Sequence, residues 1–194
     1  LPSSIVSFAN FRQAHPKGVV LSRDTGYSRS YGRNPYAGYD TIGQSPFLFD
    51  GELDGRLPAM ERVVTVSLDG EDVAYPLSVL SEVHVIHDTR GDADLVVWHL
   101  PGTSSALGAS VIAAGEDVGA TGVFDPTLDG QKLTFMFEDG VIVDEGTGSI
   151  WNVLGQAIDG PLAGENLTPI VHGNHFWFAW AAFKPETIVY QMES

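Results

Sequence analysis

FDPTLDGQKLTFMFEDGVIVDE, Phe124 to Glu145, is the stretch that decides the fold class. Short apolar runs are cut by Asp129-Gly130 and Asp139-Gly140. Asp-Gly tolerates the positive φ angles that two-residue hairpin turns demand, so the stretch predicts three strands joined by tight turns. Working outward, RVVTVSLDGEDVAYPL, Arg62 to Leu77, repeats the device around Asp69-Gly70. HVIHD and DLVVWHL read as two further strands with TRGDA as their turn. Helical spacing is confined to VSFANFRQAHP and FWFAWAAFKP, each ending in a helix-stopping Pro, and to a short turn near Tyr75 to Glu82. Alternation of strand and helix is absent. The expected fold is therefore β-rich α+β: antiparallel hairpins in a compact sandwich or barrel-like core with few short helices.

Composition narrows the function. The 194 residues suffice for one sizeable domain or two small packed halves. Ten Lys plus Arg against 25 Asp plus Glu give a net charge of -15, which repels phosphate backbones and anionic lipid. Cysteine is absent, which removes disulfides, thiol nucleophiles, iron–sulfur clusters and Cys-based zinc sites. Any metal must use His, carboxylates or carbonyls. No apolar run approaches the roughly 18–20 residues of a membrane span. LPSSIVSFANF lacks the basic region and long apolar run of a signal peptide.

Residues 22–58 differ from the rest, being rich in Gly, Pro, Tyr and Arg with little periodicity. Arg23, Arg29 and Arg33 with Tyr27, Tyr31, Tyr36 and Tyr39 make the main cationic patch of an acidic chain. SFANFRQAHPKGVVL (Ser7–Leu21) aligns without a gap on FWFAWAAFKPETIVY (Phe176–Tyr190). Phe8 matches Trp177, Phe11 matches Trp180 and Pro16 matches Pro185. A short helix docked by two aromatics, a Pro stop and an exit strand explain the pattern. The expected organisation is a closing helix plus wrapping segment over 1–58 and a β-rich repeat copy over 59–194, packed as one compact unit.

VLSRDTGYSRSYGRNPYAGYD, DGRLPAMERVVTV, VAYPLSVL, WHLPGTSSAL, TGSIWNVLGQAIDGPLAGENL and HFWFAWAAFKPETIVY together resemble the prokaryotic family known as domain of unknown function 3179. The resemblance runs over nearly the whole chain. It implies an extracytoplasmic (secreted, periplasmic or cell-surface) protein with two related halves, of which this chain is similar to the distal part. The family's first half often carries Cys-Pro-Leu-Cys after a strand; Leu100-Pro101-Gly102-Thr103 stands at the equivalent place here, without cysteine. The resemblance implies no reaction.

The candidate sites follow from residue type. His84, His87 and His99 sit on two adjacent expected strands, and His172 and His175 form an H-x-x-H in a loop before the closing helix. Three of these, or two with a carboxylate such as Asp88, would suit Cu, Zn or Fe; the competing reading has each histidine satisfying backbone groups. No haem, nucleotide or iron–sulfur signature is present. Arg23, Tyr27, Arg29, Tyr31 and Arg33 are candidates for gripping a carboxylate, sulfate or acidic glycan, or for tying a long segment to the protein's own carboxylates. Asp125, Asp129, Glu138, Asp139, Asp144 and Glu145 read as turn formers rather than a glycosidase pair, and no EF-hand spacing supports calcium. Pro101-Gly102-Thr103-Ser104-Ser105 lacks the nucleophile-elbow pattern, and Asn166-Leu167-Thr168 is a lone glycosylation sequon. No residue is assigned as catalytic. The sequence thus points to a binding or structural/assembly module, with a His-ligated metal as one version and partners among copies of itself or the family's first half. The alternative is a hydrolase or other enzyme acting on an extracellular small molecule or glycan at the Arg/Tyr segment.

Overall fold

The computed structural model describes residues 4–192, so the first three and last two residues of the expected 1–58 and 59–194 units lie outside the described residues. After α1 (Phe8–Ala14), residues up to 61 follow an irregular path. Then come β1 (Arg62–Leu68), β2 (Glu71–Pro76), α2 (Leu77–Val83), β3 (Val85–Arg90) and β4 (Ala93–Leu100). A long loop containing one 3-10 turn leads to β5 (Ala120–Asp125), β6 (Thr127–Leu128), β7 (Gln131–Lys132), β8 (Phe135–Glu138) and β9 (Val141–Asp144). The chain closes with β10 (Ile150–Trp151), β11 (Ala157–Asp159), β12 (Thr168–Pro169), β13 (His172–Phe176), α3 (Trp177–Phe183) and β14 (Ile188–Val189). The protein is β-rich α+β, as the hairpin pattern predicts. No described helix is long and apolar enough to cross a membrane.

Three four-stranded sheets form, in the orders β13-β1-β2-β14, β12-β5-β4-β3 and β11-β10-β9-β8, with β6-β7 as a small separate ribbon. All pairings are antiparallel except β14 against β2. The β3-β4-β5 sheet is the middle layer. On β4, Leu95 and Val97 face the cluster shared with Val64, Val66, Val73 and Tyr75. Val96 and Trp98 face the opposite cluster with Phe135, Ile142 and Trp151. Burial on both faces is why DLVVWHL runs apolar without alternation. A third cluster seats Trp177 and Ala181 of α3 on Val63 and Ala74, the outer face of β1-β2.

The Asp-Gly turns have positive φ at both central residues: Asp69 51° and Gly70 85°, Asp129 50° and Gly130 79°, Asp139 50° and Gly140 86°. That geometry matches the right-handed twist of the flanking strands. The middle segment of Phe124–Glu145 is not one strand, however. It breaks at Leu133-Thr134 into β7 and β8, which belong to different sheets. Leu133 turns into the core, and its amide bonds the Pro126 carbonyl instead of a ladder partner.

Candidate functional site

A cleft of about 430 Å³ opens between residues 40–42, the start of β1, α2 and the end of the β4–β5 loop. Its floor is a charge network. Arg62 Nη2 donates to Asp40 Oδ2 at 2.8 Å and to Ser105 Oγ at 3.0 Å. The Ser105 hydroxyl in turn donates to Asp40 and accepts from the Leu107 and Gly108 amides. Burial pushes the Asp40 pKa up, but the hydrogen bonds from Ser105 and Arg62, with the Arg62 charge, outweigh it and hold the carboxyl below its usual value. The Arg62 guanidinium lies 5.1 Å over the Phe176 ring, which fixes its plane.

Local structure explains the other walls. Glu61 is buried because its Oε1 accepts the Ser78 amide at 3.0 Å, capping the first turn of α2. Asp117 pins the long loop: Gly102, Thr103 and Gly119 donate their amides to it at 2.7–2.9 Å. Burial pushes the Asp117 pKa up, but those three backbone N–H groups more than compensate. His99, 5 % exposed, forms the back wall with its Nε2 3.1 Å from the Val118 carbonyl. Its Nδ1 lies 3.4 Å from Nδ1 of His84, whose ring also reaches the His99 carbonyl at 3.2 Å. One tautomer set satisfies these contacts. His99 donates through Nε2–H, and His84 Nδ1–H faces the His99 carbonyl and the bare His99 Nδ1. Burial, with His84 alongside, pushes the His99 pKa down against the opposing pull of the Val118 carbonyl and Asp117.

The structure does not bring together the five histidines weighed as metal ligands. His84 is not on a strand but caps the C-terminus of α2 with φ of 61°, and this is what brings its ring to His99. His87 points elsewhere and accepts the Phe135 amide at 3.0 Å, while Asp88 is taken up by Tyr75 and Arg90. His172 and His175 lie on β13 and not in a loop, because β1 supplies a full antiparallel partner for HGNHF. Both reach a shallow second cleft of about 330 Å³ with Thr65, Ser67 and Trp180. His172 Nδ1 is 2.8 Å from the Ile170 carbonyl, and its Nε2 is buried with no partner among the described residues. His175 stacks on Trp180 at 5.2 Å; it stays largely exposed, and the partial burial lowers its pKa. Among the described residues, no three His, Asp or Glu side chains converge as a metal site requires.

Arg23, Tyr27, Arg29, Tyr31 and Arg33 all lie on the surface and none lines either cleft. The three arginines make no ion pair among the described residues. The segment is anchored by Asn34 instead, whose amide bonds the Leu107 carbonyl at 3.0 Å, and by Asp40. Asp144 is a turn residue: it accepts from Thr147, Ser149 and Trp151 and has no capacity left for calcium. Asp40, Glu61, Arg62, Ser105 and Asp117 escape a reading by motif. The available signal was a Glu-Arg pair opening the strand ERVVTVSL, where two adjacent charges before an apolar run need partners.

Fold and cleft together define a layered β-rich protein with a polar, acidic, preformed cavity. The chain belongs to the family described as Protein of unknown function (DUF3179), whose model matches residues 1–187. Comparisons with curated proteins and with solved structures each found no match.

Proposed function

We propose that this protein is a binding module that takes a small, positively charged, hydrogen-bonding ligand in the Asp40–Asp117 cleft. The observation that carries the reading is the charge of the lining. Asp40, Glu61, Glu116 and Asp117 face it, and the single guanidinium, Arg62, is already paired with Asp40. Low-dielectric walls such as Met60 and Leu77 strengthen that field at short range. Ser78 and Ser81 add hydroxyls on the α2 side. The cavity volume falls within the roughly 300–1,000 Å³ of small-molecule sites. An extracytoplasmic setting is part of the proposal, on the strength of the family resemblance.

A hydrolytic reading is less well supported. The one buried serine at the cleft, Ser105, spends its proton on Asp40 and accepts three donors, and no imidazole bonds it among the described residues. Calorimetric titration with spermidine and agmatine, against citrate and glucose, tests the binding reading. Amine binding should weaken with salt and with Glu116→Gln, but not with Glu138→Gln at the exposed end of β8. Equal effects of the two substitutions, or no preference for amines, would sink it.

A further inference from the structure

The two aligned units have the same backbone and different fates. α1 and α3 are each seven residues long. Their C-caps, His15 and Lys184, have φ/ψ of -128°/71° and -134°/65°, and each donates its amide to the carbonyl four residues back, Phe11 or Trp180. Gly18 and Thr187 then each bond the carbonyl of the cap residue. Phe11 folds over Gly18 as Trp180 folds over Thr187. Beyond that point α3 is seated: Trp177 is fully buried on β1-β2, and Ile188-Val189 add a parallel strand to β2, the Tyr190 amide bonding Ala74. α1 buries no residue, and Phe8, the counterpart of Trp177, is 61 % exposed. Val19, Val20 and Leu21, the counterparts of Ile188–Tyr190, are 89 %, 64 % and 98 % exposed. Their backbone groups take no backbone partner among the described residues, and consecutive apolar residues in that state are a strand without a sheet.

We infer that Phe8–Leu21 is a docking unit for an antiparallel β-hairpin of a second, acidic β-domain, which it closes as α3 and β14 close β1-β2. The occupant is identified by the seated copy: a hairpin with an apolar outer face for Phe8 and an open edge for parallel pairing with Val19–Leu21. It is not the β1-β2 hairpin of another copy of this chain, because that face and edge are already filled by Trp177 and β14. Charge agrees. Residues 1–39 carry five cations and one acid, and the remainder carries five cations and 24 acids. A hairpin on a body as acidic as residues 40–192 meets a complementary arm.

The probe is a backbone-cyclised peptide with the sequence of residues 60–77, titrated into the full chain and followed by calorimetry and hydrogen exchange. Saturable binding with new protection at Val19–Leu21 is expected. Leu21→Pro removes the amide equivalent to that of Tyr190 and should weaken binding about tenfold, as one lost hydrogen bond does; Phe8→Asp should weaken it at least as much. The same hairpin fused ahead of residue 1 through a flexible linker gives an intramolecular readout if the free peptide is poorly folded. Absence of protection in both formats overturns the inference. So does binding indifferent to both substitutions, or protection lost at Val189 and Tyr190 through displacement of β14. Concentration-dependent self-association abolished by Leu21→Pro also overturns it, in favour of a second copy.

Discussion

The Asp40–Arg62 pair both builds the cleft and fastens the irregular segment to the sheets, so its removal has a calculable double effect. Asp40 is the more enclosed partner, with 10 % of its side chain exposed against 24 % for Arg62. Breaking a buried pair costs about 3–5 kcal/mol, and an exposed pair is worth about 0.2–1 kcal/mol. Arg62→Met leaves the Asp40 anion with Ser105 alone, between the two limits, and should cost about 2–3 kcal/mol. Asp40→Asn leaves Arg62, which can turn to water, and should cost about 1–2 kcal/mol. The double variant should recover about 1–2 kcal/mol of the sum, since the second change removes a charge that the first left stranded. Urea unfolding of the four proteins at neutral pH gives the coupling. Hydrogen exchange should show faster opening at Asn34 and Gly38, whose amides bond Ser110 and Leu107 across the same contact. Coupling below about 0.5 kcal/mol, within the additivity expected of independent sites, would refute the reasoning, as would unchanged exchange at Asn34 and Gly38.

Three further outcomes follow from single groups. The His99 pKa is lowered in the folded state, so the unfolded chain takes up that proton first as pH falls. Stability should be flat above the ordinary histidine pKa of about 6.5 and decline below it, with His175 adding to the same limb, and His99→Gln should make it shallower; urea midpoints between pH 7.5 and 5.5 that fall equally in both proteins would refute the idea. The carboxylates held low, Asp40, Asp117 and Asp144 among them, add a second loss only as pH falls below about 3.8. Gly119 has φ of 67°, and a Cβ there would lie 2.0 Å from His99 Nε2; Gly119→Ala should cost about 3 kcal/mol or more by thermal or urea melts, and a cost under about 1 kcal/mol would contradict the packing. Thr103 Oγ1 is buried without a partner among the described residues, so Thr103→Val should be neutral or stabilise by up to about 1 kcal/mol in the same melts, and clear destabilisation would mean that the hydroxyl has a role.

The hairpins were legible because their determinants are local. Asp69-Gly70, Asp129-Gly130 and Asp139-Gly140 set the turn torsions within two residues, and β-branched runs on either side supply the strands. The strand identity of HGNHF was not local. Its histidines and central Gly read as a loop, and only pairing from Arg62–Val66, more than a hundred positions earlier, makes them β13. The same distance hid the cleft. Asp40, Arg62, Ser105 and Asp117 share no spacing, and each gains its role from contacts that the chain makes only on closing long loops. The five histidines do not gather at one place among the described residues, for a stereochemical reason. A left-handed His84 turns its ring toward His99, while β3 aims His87 at Phe135.

The placement of positive charge links the two parts of the molecule. Arg56, Arg62, Arg90, Lys132 and Lys184 each form an ion pair in or beside the sheets. Arg12, Lys17, Arg23, Arg29 and Arg33 form none among the described residues. Had these five served only to tie the segment down, an acidic body with 24 carboxylates beyond residue 39 offered ample partners, and Asn34 and Asp40 would not have been needed as anchors. The exposed Val19-Val20-Leu21 lies between these cations, so charge and apolar surface share one stretch. Long-range attraction would steer a second acidic surface to that stretch, and backbone pairing would then fix the register, which is the order of events that fast, specific strand addition requires.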